Sequence, residues 1–133
     1  MIICETCNGY GTNETQDFAE AERLYLLAAE QRYAPAQNNL GFMYDHGLGV
    51  AQDHEEAVRL FRLAAAQGHA SAQTNLGLMY DHGLGVAQDF AEAVHWYRLA
   101  AEQGHSPAQF NLGFMYDHGL GVEQDYVEAN HWF

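Results

Sequence analysis

The stretch Gly41-Phe42-Met43-Tyr44-Asp45-His46-Gly47-Leu48-Gly49-Val50 decides the reading of this chain, because it occurs three times. It returns at Gly77–Val86 with one change, Leu78 for Phe42, and unchanged at Gly113–Val122. The spacing is 36 residues, and residues 34–69 match residues 70–105 at 27 of 36 positions. A further copy begins at Ser106 and stops at Phe133, eight residues short of a full unit. Shifted back by one period, Asp17–Gln31 aligns with Asp53–Gln67. The chain therefore divides into a partial first unit (1–33), two full units (34–69 and 70–105) and a truncated unit (106–133), together one repeat domain. A period of this length signals a supersecondary unit that stacks on its neighbours.

Each unit predicts two helices. The first spans roughly Pro35–His46, with apolar or small residues at Ala36, Leu40, Met43 and Tyr44, which is helical spacing without strand alternation. Pro35 and Pro107 sit where a first turn tolerates proline, and Ser106 is the expected N-cap before Pro107. Gly47 and Gly49 stop this helix and turn the chain. The second helix opens on a capping-box pattern that appears four times, as Asp17 with Glu20, Asp53 with Glu56, Asp89 with Glu92 and Asp125 with Glu128. In that motif the Asp accepts from free amides of the first turn and the Glu returns a bond to the cap. Ala57, Phe61 and Ala64 form an apolar stripe, repeated as Ala93, Tyr97 and Ala100, and Gly68 and Gly104 close the helices. Gly41, Gly77 and Gly113 each cost about 1 kcal/mol relative to Ala inside a helix, so their recurrence predicts close approach of the paired helix.

The pattern Ala-x-x-x-Leu-Gly-x-Met-Tyr-x-x-Gly-x-Gly-Val-x-x-Asp, followed by Ala-x-x-Trp-Tyr-x-x-Ala-Ala-x-x-Gly, resembles the Sel1-like repeat across about residues 11–133. That family is similar to tetratricopeptide repeats. Leu40, Gly41, Tyr44, Ala57, Phe61 and Ala64 sit where the tetratricopeptide signature would put them, with about four extra residues in the loop between the helices. The resemblance implies an all-α, right-handed solenoid of antiparallel helix pairs with a concave groove. It also implies that one face of the first helices lines that groove. Carried over, this face holds Asn38, Phe42, Asp45 and His46, then Thr74, Leu78, Asp81 and His82, then Phe110, Phe114, Asp117 and His118. Two columns, Asn38/Thr74/Phe110 and Phe42/Leu78/Phe114, vary between units that are otherwise nearly identical. Variation there fits surface freed from packing, whether by binding or by neutral drift.

Eighteen acidic residues stand against five arginines and no lysine, for a net charge of -13. That balance excludes a nucleic-acid or anionic-membrane partner, both of which need clustered Lys and Arg. No apolar run approaches the ~18 residues of a membrane span. An acidic groove with Phe42, Phe110 and Phe114 on its floor suits a basic or amphipathic peptide; the alternative is that the charge is a solubility device spread over all faces. The recurring Asp-His pairs invite a catalytic or metal reading. Adjacent helical residues diverge by about 100°, and equivalent His on stacked units lie too far apart to share an ion. No Ser or Cys nucleophile sits at a fixed offset from the pairs. The expectation is no catalytic residue, no metal and no cofactor, with the His in the last turn meeting the helix dipole. Eight His on such a chain also predict weaker binding of a basic partner between about pH 7 and 5.5.

Cys4-Glu5-Thr6-Cys7-Asn8-Gly9-Tyr10-Gly11 matches the Cys-x-x-Cys-x-Gly-x-Gly zinc knuckle of DnaJ-type chaperones, in a single copy. Two thiolates are half of a tetrahedral site. Shifted by one period, Cys4 falls under Leu40 and Cys7 under Met43, which reads as buried thiols of a degenerate first helix. A site or disulfide shared between two chains is the alternative. The chain as written carries no signal peptide, which predicts a cytoplasmic location, or a secreted or periplasmic one if it is part of a longer precursor. No polar terminal cap is evident, and Trp132-Phe133 would leave apolar surface open, so homo-oligomerisation through the terminal repeats is expected. Three readings follow: a non-catalytic scaffold binding a protein or peptide in the groove, a self-assembling element, and, disfavoured by the lack of a unique polar cluster, an enzyme or small-molecule binder.

Overall fold

A computed structural model describes the backbone of residues 10–133 and the side chains from residue 18 onward. Cys4 and Cys7 lie outside the described residues. Among the described residues seven helices follow one another with no strand: α1 (Tyr10–Glu30), α2 (Ala34–His46), α3 (His54–Ala66), α4 (Ala70–His82), α5 (Phe90–Glu102), α6 (Ser106–His118) and α7 (Tyr126–Trp132). Each packs chiefly on its chain neighbours, which makes the fold an all-α solenoid.

The core sits between units as much as within them. One buried cluster joins Ala57, Phe61 and Ala64 of α3 to Ala72, Leu76 and Met79 of α4, and Ala93, Tyr97 and Ala100 of α5 join Ala108, Leu112 and Met115 of α6 in the same way. Each unit completes the burial of its apolar face only against the next, so stacking adds to the packing within units. The expected close approach is present. A Cβ on Gly41 would stand 2.8 Å from Cε1 of Phe61, and one on Gly77 would stand 2.6 Å from Cε1 of Tyr97.

The helix starts differ from expectation in three respects. Asp53, Asp89 and Asp125 do cap α3, α5 and α7, each accepting from the amide three residues on at 3.1 Å. The Glu partners do not return the bond. The N–H of each Asp instead donates to Tyr44, Tyr80 or Tyr116 of the preceding helix at 2.9–3.0 Å, so the cap stitches the loop to its own unit. Glu56 is left free to take a forked pair with Arg59. Asp17 lies inside α1 rather than at a helix start, because α1 begins at Tyr10. Ser106 is already helical, and His105 holds the N-cap position without a side-chain bond, as do Tyr33 and His69 at α2 and α4.

A glutamine clamp locks successive units. The Nε2 of Gln37, Gln73 and Gln109 donates at 3.2 Å to the carbonyls of Ala29, Ala65 and Ala101 on the preceding helix. Gln67 and Gln103 then donate to the Oε1 of Gln37 and Gln73 at 2.7 and 2.9 Å. Gln37 and Gln73 are buried, and the paired amides satisfy one another, as buried polar groups must.

Candidate functional site

The last turns of α2 and α4 frame a depression of about 370 Å³. Phe42, Asp45 and His46 from α2 and Leu78 and His82 from α4 line it, joined by Asn75 and Leu84, with Phe61 and Met79 beneath. Phe42 is 45% exposed and its counterpart Phe114 is 42% exposed, a large apolar offering for side chains with no structural need to be bare.

Each histidine is held by its own helix. Nδ1 of His46, His82 and His118 lies 3.1, 3.0 and 3.1 Å from the carbonyls of Phe42, Leu78 and Phe114. The rings of His46 and His118 stack on Phe42 and Phe114 with centroids 4.1 and 4.0 Å apart. Folding back in this way also brings Nδ1 of His46 and His118 to 3.6 Å from Oδ2 of Asp45 and Asp117. The Asp and His of these two pairs therefore meet, although their Cβ atoms diverge around the helix, because the imidazole reaches back over the helix end.

The aspartates share a position but not a partner. Asp45 meets Nδ1 of His54 at 2.9 Å, while Asp81 accepts from the Tyr97 hydroxyl at 3.1 Å. Burial, then the Asp81 charge and hydrogen bond, push the Tyr97 phenol far above the usual tyrosine range. In the truncated unit the corresponding positions hold Tyr126, whose hydroxyl accepts from Gln124, and Phe133.

The Asn38/Thr74/Phe110 column belongs elsewhere. Asn75 Nδ2 donates to Asn38 Oδ1 across the unit boundary at 2.9 Å. Thr74 is 4% exposed and its hydroxyl donates to the Ala70 carbonyl, so it offers nothing to a ligand. Phe110 is exposed but packs its ring 5.7 Å from that of Phe133, in a second depression of about 310 Å³ with Ser106, Gln109 and Trp132. Asn38 thus meets the next unit, whereas Thr74 and Phe110 meet partners within their own units. Asn75 and Leu84 were available from the sequence by a different signal. Asn39/Asn75/Asn111 and Leu48/Leu84/Leu120 are invariant between units and fall outside the face that the resemblance implied.

Among the described residues no group of three or more His, Cys, Asp or Glu side chains converges for a metal ion, and no helix is long and apolar enough to cross a membrane. The architecture defines an all-α repeat protein. The family model of the Sel1 repeat matches residues 5–33, 34–69, 70–105 and 106–133, and the chain belongs to that family. Sel1 repeat proteins mediate protein–protein interaction. No curated protein matches the chain significantly. Among solved structures, it is similar to a protective antigen of uropathogenic Escherichia coli strains displaying an SLR fold, at 49% identity and TM-score 0.80 over 81% of this chain and 23% of that one. It is similar also to a Sel1 repeat protein from Oxalobacter formigenes, at 38% identity and TM-score 0.77 over 89% of this chain and 51% of that one. Cysteine rich protein B of Helicobacter pylori shares the fold at 19% identity and TM-score 0.68, over 89% of this chain and 84% of that one. The chain thus spans about a quarter and about half of the first two relatives.

Proposed function

We propose that the chain is a non-catalytic scaffold that binds a basic or amphipathic protein segment on the face formed by α2, α4 and α6. The observation that carries this reading is the depression between α2 and α4, where half-exposed Phe42 and half-buried Leu78 stand between polar rims of Asp45, His46 and His82. Apolar anchors ringed by polar groups are what a recognition surface needs. The net charge of -13 favours a cationic partner. Asn38, Thr74 and Phe110 are left out of the binding face, and Phe114, Asp117 and His118 extend it along α6.

The test compares wild type with a Phe42→Ala/Leu78→Ala double variant as bait, after circular dichroism shows both folded. The affinity of a partner bound on this face should fall roughly tenfold or more, the scale of losing central anchors. A partner held equally by both would place binding elsewhere. A second reading is favoured by the other depression, where Phe110 and Phe133 are each 61% exposed. There the occupant would be a second copy, and a mass that stays at 14.9 kDa at high concentration in sedimentation equilibrium would remove it.

A further inference from the structure

We infer that the depression between α2 and α4 recognises an arginine side chain beside an apolar residue; this deepens the peptide-binding reading and rests on it. The argument starts from protons. A carbonyl oxygen only accepts, so the ring nitrogen beside it must carry the hydrogen. The contacts at 3.0–3.1 Å therefore fix His46, His82 and His118 as the Nδ1–H tautomer. In a neutral imidazole the other nitrogen, Nε2, is then a bare lone pair. The His46 side chain is 50% exposed, and with Nδ1 committed, Nε2 is the atom it offers.

The rest of the rim has the same polarity. Asp45 presents a carboxylate from α2. The donor facing it, His54 of α3, already points at that carboxylate. Asn75 spends an N–H on Asn38. None of the five arginines lines the depression. A ligand there must bring donors and few acceptors, which excludes carboxylates and phosphates. Guanidinium has five N–H donors and no acceptor, and it stacks on aromatic faces. Its stem can lie on Phe42 and Leu78 while the head meets the Nε2 atoms. The fold already uses the same pairing internally, with Arg62 and Arg98 set 5.8 and 5.6 Å from the ring centres of Tyr80 and Tyr116.

Two measurements test this. Long-range proton–nitrogen correlation spectra at pH 8 should show the Nδ1–H tautomer for His46, His82 and His118; the Nε2–H tautomer would overturn the inference without touching the broader reading. A random heptapeptide display library, selected on wild type at pH 7.5 and counter-selected on Phe42→Ala/Leu78→Ala, should enrich arginine next to an apolar residue. The enriched peptide should lose roughly tenfold or more in affinity when citrulline replaces arginine and when His46→Phe and His82→Phe are introduced. Enrichment of acidic or purely apolar peptides, or affinity indifferent to citrulline, would overturn the arginine assignment and leave peptide binding standing. Absence of any enrichment would overturn both.

Discussion

A single missing Cβ sets the distance between paired helices. The glycines at 41, 77 and 113 were legible as a cost repeated without propensity to justify it, and the structure shows the aromatic ring that each accommodates. At Gly77 that ring is Tyr97, fully buried, and the Ala93 carbonyl lies 3.3 Å from the absent methyl group. Neither can yield. Gly77→Ala should therefore lower stability by about 1–3 kcal/mol, as overpacking does, despite the better helix propensity of Ala. Thermal melts check this, and a raised melting temperature would contradict it. The partners of Asp45 and Asp81 were not legible at this scale. His54 and Tyr97 come from the following helix at unequal sequence separations, so one repeated carboxylate meets two different donors.

At the scale of the element, the two kinds of helix start differ. The Asp caps follow from sequence because a cap is local. The missing return bond from Glu does not, because the competing carbonyl of Tyr80 belongs to another helix. Asp89→Ala should cost about 0.5–2 kcal/mol, whereas Glu92→Gln should stay within about 0.5 kcal/mol; urea denaturation of both variants checks the asymmetry. The α4 helix starts instead at His69, with no side-chain bond to its free amides. Burial, then the neighbouring charge of His105, hold the His69 imidazole below the usual histidine range. A histidine depressed in the folded state lends stability above its unfolded pKa of about 6.5 and withdraws it as pH falls through the folded value. A cation at a helix N-terminus acts in the same direction. Melting temperatures between pH 7.5 and 5.5 should fall less for His69→Gln than for wild type. An equal fall in both would assign acid sensitivity to other groups.

For the whole molecule, the repeat period was sufficient to read the solenoid, because each unit must bury its face on the next. The binding face was only partly legible. Phe42, Asp45, His46, Leu78 and His82 do converge. Thr74 and Phe110 do not join them, because Thr74 is buried against its own helix and Phe110 packs on Phe133, and sequence alone carries no record of which neighbour a varying residue meets. The glutamine clamp was unreadable for the same reason: Gln37, Gln73 and Gln109 reach a carbonyl eight residues back, on the helix of the preceding unit.

The most direct test places a photo-reactive benzoyl-phenylalanine at position 42, 78, 63 or 133 in turn and irradiates each folded protein in lysate. Leu63 lines a different depression, between α1 and α3, and Phe133 lies by Phe110. The account predicts that positions 42 and 78 form covalent adducts with the same second protein while position 63 forms none. Adducts confined to 63 or 133, or a cross-link at 133 to a second copy with nothing at 42 and 78, would contradict it.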